Sequence, residues 1–126
     1  MNDTQFYLRN LWRWKCGFPE EEPGTPKEQL RYEDLQKSEW SDKFEGLMRN
    51  RLVMGAFRYG KIGQEGKLVY NRAADVVRRM KQYEDSGNKE LLVDVANLCL
   101  LEFVECHHPK AHFASVDDGT HTEKIE

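Results

Sequence analysis

The sequence predicts an all-α fold: a small helical bundle with an irregular N-terminal loop and a C-terminal tail. Three observations predict it. Apolar residues recur at spacings of three and four from Phe44 onward, no stretch alternates as a strand would, and capping or breaking residues (Ser41, Gly60, Gly87, Asn88, Pro109) bracket the periodic runs. A length of 126 residues allows one domain. Apolar residues are 39% and charged residues 33%, so the core is modest, the surface is wet, and a homo-oligomer is expected.

The elements follow in chain order. Thr4 to Lys15 reads as a short aromatic helix (Phe6, Tyr7, Trp12, Trp14) ended by Gly17. Pro19, Pro23, Gly24 and Pro26, with Glu20 to Glu22 among them, form a loop, and Glu28 to Lys37 a further short helix. Residues 1–40 are thus an N-terminal segment before the helical core, 41–106. Ser41 is an N-cap and Asp42 suits the first turn of the helix it opens. Phe44, Leu47, Met48, Arg51, Leu52, Gly55 and Tyr59 then mark one stripe up to Gly60. Gly60, Gly63 and Gly66 make a connector that lacks the order of a phosphate-binding P-loop. A second helix runs from about Asn71 to Asp85, Ser86-Gly87-Asn88 turns, and a third helix spans Glu90 to about Glu105. His107-His108-Pro109 stops it and opens the tail, 107–126, which is expected to pack Phe113 and Val116 back on the bundle. His107, His108, His112, His121 and Cys106 lack zinc-site spacing, and Asp117-Asp118-Gly119 reads as a turn.

No apolar run reaches the roughly 18 residues of a membrane span, and Asp3, Arg9, Arg13 and Lys15 interrupt any secretory signal. Three scattered cysteines point to a reduced, cytoplasmic protein. The net charge of -3 hides a division: residues 49–81 hold 9 Lys/Arg against 2 Asp/Glu, and residues 82–126 hold 3 against 10. A basic middle of this kind suits a phosphate chain, or else it faces the acidic rear within the fold. Extended nucleic-acid binding is not expected, since neither a basic tail nor a DNA-binding motif accompanies it. The N-terminal aromatics with Arg9, Arg13 and Lys15 suit core packing or, alternatively, base stacking.

The third helix carries the candidate chemistry. It is apolar around most of its circumference and leaves one narrow strip, Glu90, Asp94, Asn97 and Glu105, with Glu102 outside it. A buried charge requires a partner or a metal, so the strip must face something specific. Glu90, Asp94 and Asn97 offer oxygens along one face, as Mg²⁺ needs when it also holds substrate phosphates. Equally, Asp94 and Glu102 can pair with Arg51 or Arg58, which lie on one side of the first long helix. Asp42 and Glu45 share a face and offer two more metal oxygens.

Met48 to Arg51, Gly55 to Gly60 and Gly87 to Asn97 together resemble the all-α nucleoside triphosphate pyrophosphohydrolases of the MazG type, including the phage dATP/dGTP diphosphohydrolase-like proteins. The resemblance covers about residues 41–105. It implies a four-helix core with E-x-x-E and E-x-x-D motifs, Mg²⁺ on their carboxylates, and cleavage of a nucleotide to monophosphate and pyrophosphate. Asp94 takes the place of the aspartate, Leu91 stands where the family has glutamate, and Asp42-x-x-Glu45 takes the place of the first motif. On that basis Asp94, Glu90 and Glu102 are the catalytic candidates. Glu45, Glu90 and Asp94 are the metal candidates, and Arg51, Arg58 and Asn97 would bind nucleotide. The alternative class is a non-enzymatic helical protein that binds a nucleotide or occupies another protein's surface.

Overall fold

The computed structural model describes residues 12–13, 15–17, 26–115 and 125, for 26–30 the backbone alone. Those residues are all-α, with four helices: α1 (Pro26–Ser38), α2 (Asp42–Tyr59), α3 (Arg72–Ser86) and α4 (Glu90–Val104), of which the last three form a small bundle. Among the described residues there is no strand, and no helix is long and apolar enough to cross a membrane.

The helix boundaries have local causes. Ser41 is extended (φ -129°) and its hydroxyl accepts from Phe44 N–H at 3.1 Å, so α2 starts one residue later. Asn71 accepts from Ala74 N–H at 3.0 Å and opens α3 in the same way. Gly87, at φ +68°, takes the left-handed conformation that closes α3, and its N–H reaches Tyr83 O at 2.8 Å. The Asn88 side chain then accepts from Glu90 N–H at 3.1 Å and starts α4. Pro26 stands first in α1, two residues before the helix expected from the sequence, because its missing N–H costs nothing there.

The chain divides into two compact units. In the unit of residues 1–40 and 112–126, residues 12, 13 and 15 are helical, and Lys15 Nζ lies 5.1 Å from the centre of the Tyr32 ring. Ser115 Oγ donates to Cys16 O at 2.6 Å, and a Cβ on Gly17 would come within 3.3 Å of the Phe113 ring. Phe113 thus sits against the N-terminal turn, in the same unit. The expected helix before Trp12, and Val116, Asp117, Asp118 and His121, lie outside the described residues.

The unit of residues 41–111 holds α2, α3 and α4. Helix α4 is the shared element: it packs on both α2 and α3, which make no packing contact with each other. That central place is the one its near-continuous apolar surface requires, and Val93 and Asn97 on it are buried. Leaving α2 and α3 apart opens a groove between them, floored by α4.

Candidate functional site

Each member of the polar strip on α4 meets a specific partner. Glu90 pairs with Arg51 at 2.7 Å. Asp94 accepts from Arg51 Nε at 2.8 Å and from Arg79 at 3.1 Å. Asn97 Nδ2 donates to the backbone carbonyl of Met48 at 3.0 Å, which fastens α4 to the middle of α2. Glu105 accepts from Lys67 at 2.9 Å, from Arg72 at 3.0 Å and from Gly63 N–H at 3.3 Å. Side-chain exposure is 16% at both Asp94 and Glu105, so their bonds to Arg79, Lys67 and Arg72 are partly buried, while Arg51 and Glu90 remain exposed. Four cations of the basic middle, Arg51, Lys67, Arg72 and Arg79, thus pair with three carboxylates of the acidic rear, Glu90, Asp94 and Glu105.

Glu105 fixes the connector between α2 and α3. Lys67 Nζ reaches Lys61 O at 3.5 Å as well as the carboxylate, and Arg72, 5% exposed, also donates to the carbonyls of Leu101 and Glu105. Gly63, at φ +80°, presents its N–H to Glu105 in a conformation that side-chain-bearing residues rarely adopt. The Gly63 amide is met by the protein's own carboxylate. The Lys67 hydrogen bond, foremost, holds Glu105 below the ordinary carboxylate pKa range; burial pushes it back up, while Gly63 N–H and the charges of Lys67 and Arg72 add to the lowering.

A depressed folded-state pKa stabilises the protein above the ordinary carboxylate range, and this contribution is lost as pH falls through the lowered value. Glu105→Gln is therefore expected to lower the melting temperature at pH 7 and to flatten the loss of stability below about pH 4. Melting curves from pH 2.5 to 7 check this; parallel acid limbs for the two proteins would refute it.

The groove has a volume of about 750 Å³. Seven cations line it, Arg51, Arg58, Lys61, Lys67, Arg72, Arg78 and Arg79, against two carboxylates, Asp75 and Asp94. Leu98 and Leu101, with Leu52 beside them, give it an apolar floor. Tyr59 and Tyr70 also line it, packed edge to face with ring centres 5.7 Å apart. Arg78 pairs with Asp75 at 3.0 Å, whereas Arg58 and Lys61 make no ion pair among the described residues. Arg79 Nε and Asn97 Oδ1 are buried without a hydrogen-bond partner among those residues.

The sequence-derived candidates sort as follows. Arg51, Glu90 and Asp94 are brought together, and Arg51, Arg58, Asp94 and Asn97 line the groove. Glu45 is held by Arg49 at 3.0 Å, one turn along α2. Glu102 is partly buried and makes no ion pair among the described residues. Among those residues no group of three or more His, Cys, Asp or Glu is placed to hold a metal. Glu90 and Asp94 still fit as a two-oxygen seat if nucleotide phosphates complete the shell, provided that Arg51 turns away. Sequence reasoning passed over Arg79, Lys67 and Arg72. Their signal was the excess of cations in residues 49–81, which exceeds what α4 alone neutralises. Comparison with family models, curated proteins and solved structures finds no match to this chain.

Proposed function

We propose that this chain is a cytoplasmic nucleotide-binding protein whose groove takes a nucleoside phosphate. One observation carries the reading: seven cationic side chains and two carboxylates line a groove with an apolar floor. Its volume, about 750 Å³, is within the range of small-molecule sites. Phosphates go to Arg58 and Lys61, which make no ion pair among the described residues, and the base goes to Tyr59, Tyr70 and Ile62. Cys16, Cys99 and Cys106 are exposed free thiols, which suits a reducing compartment.

A second reading rests on Glu90 and Asp94, which converge on one guanidinium at the edge of the same groove. There Mg²⁺ would neutralise phosphate charge and polarise water for hydrolysis of the nucleotide to monophosphate and pyrophosphate. In that case Arg51 and Arg79 would orient the phosphates, and Asp94 would hold the ion. Binding is favoured over hydrolysis because both carboxylates are already neutralised by arginine.

A homo-oligomer remains part of the proposal. Val93 is the one buried apolar side chain among the described residues, so covering the exposed apolar faces adds stability.

Calorimetric titration with dATP, ATP and inorganic triphosphate, each with and without EDTA, tests the reading. Binding that survives chelation and weakens at least tenfold in Arg58→Ala/Lys61→Ala is the expected result. Absence of binding by all three compounds would reject the groove as a nucleotide site. Pyrophosphate release that requires Mg²⁺ would move the assignment to the second reading.

A further inference from the structure

Helix α2 has a second apolar face. At 100° per residue, Gly46, Asn50, Val53 and Phe57 lie within about 60° of one another, on the side opposite Met48. Phe44, Met48 and Leu52, which face the rest of the unit, are partly buried, whereas Phe57 is 86% exposed and Val53 57%. Leu47 and Met54 border the same face and are also exposed. From these exposures, the four large side chains leave roughly 500 Å² of apolar surface open on one helix. A standard interface buries about 800 Å² per partner, somewhat over half of it apolar. The open surface is therefore one partner's apolar share.

We propose that this face binds a second copy of the chain, with two α2 helices pairing antiparallel about a two-fold axis between Asn50 and Val53. The spacings 46–50, 50–53 and 53–57 read the same in both directions, as a self-complementary contact requires. At the two ends stand the largest and the smallest side chain of the stripe. Phe57 of each copy thereby seats over Gly46 of the other, where a Cβ would meet nothing within 4 Å. No charged residue lies between Gly46 and Phe57 in the stripe itself, while Arg49, paired with Glu45 at 3.0 Å, and Lys43 border it. The proposal rests on the self-association part of the functional reading, and of its four large side chains Val53 and Met54 also stand among the residues lining the groove.

Sedimentation velocity on the full chain, from about 1 to 100 μM, tests it, with far-UV circular dichroism as the fold control. Wild type is expected to sediment as a dimer. Phe57→Glu places two charges in the contact and Gly46→Trp fills the recess, and each is expected to raise the dimer dissociation constant at least a hundredfold with helicity retained. Gly46 faces open space, so the single chain accommodates the tryptophan. Gly46→Ala is expected to keep the dimer and strengthen the helix. A monomeric wild type, as when the chain's own residues 1–40 cover this face, overturns the proposal. Undiminished dimerisation by either disruptive variant overturns it as well. A dimer that fails to bind dATP leaves this surface standing and removes only the nucleotide reading.

Discussion

Arg72→Met is expected to lower the unfolding free energy of the helical unit by about 3 kcal/mol, the largest loss from any single side chain considered. Arg72 is 5% exposed, and its guanidinium serves three acceptors: the carbonyls of Leu101 and Glu105 at 3.3 and 3.2 Å and the Glu105 carboxylate at 3.0 Å. Methionine fills the space of the aliphatic stem but donates to none of them. The Glu105 carbonyl then loses its donor, at roughly 1 to 3 kcal/mol for an acceptor left unpaired, and the Glu105 carboxylate loses a charge-assisted bond, whereas Leu101 O keeps the Glu105 N–H at 2.8 Å. Arg72→Lys is expected to recover less than half of the loss, because one ammonium cannot span acceptors arranged for a planar fork. At roughly 0.05 to 0.15 kcal/mol per residue, the unit of residues 41–111 holds about 4 to 10 kcal/mol in all. For a domain of this size 3 kcal/mol corresponds to a fall in Tm of roughly 12 to 24 °C. Thermal melts by circular dichroism check it, at one fixed protein concentration so that dimerisation does not enter the comparison. A variant melting within 3 °C of wild type would show that the cluster is dispensable.

The parts of this architecture that depend on near neighbours were legible in the sequence. Ser41, Asn71 and Asn88 accept hydrogen bonds from N–H groups two or three residues away, so their identities mark the helix starts directly. The strip Glu90, Asp94, Asn97, Glu105 follows from helical period and composition alone, and all four of its members are engaged. The choice of partners was less legible. Arg51 stands out because it interrupts an apolar stripe, but Arg79 reaches Asp94 only because α3 folds back along α4. Lys67 and Arg72 converge on Glu105 across more than thirty residues of sequence, a closeness set by the path of the connector. The outward face of α2 was hidden for a different reason. Apolar residues cover so much of that helix that period alone cannot say which stripe is buried, and the structure leaves Phe57 in the open while Leu52 is partly covered.

Asp94→Asn separates the two functional readings because they predict effects of opposite sign. In the binding reading, Asp94 competes with the ligand for Arg51 and Arg79, which it holds at 2.8 and 3.1 Å. Removing its charge leaves the size and a hydrogen-bonding oxygen in place and weakens its hold on both guanidinium groups, which a phosphate in the groove can then engage. A carboxylate roughly 8 Å from a bound phosphate, at an effective dielectric constant of about 30, repels it by about 1.4 kcal/mol, or tenfold in affinity. Asp94→Asn is therefore expected to bind dATP about tenfold more tightly, with a steeper weakening as salt rises. In the hydrolysis reading the same change removes one of the two oxygens seating Mg²⁺, and turnover falls by a factor on the order of a hundred or more. Asparagine still accepts from Arg79, and Arg51 keeps Glu90 at 2.7 Å, so the variant is expected to fold. Titration and pyrophosphate release, measured on one preparation, read both effects. Unchanged affinity with unchanged turnover would mean that Asp94 only ties α2 and α3 to α4, and the ligand site would have to be sought away from the groove.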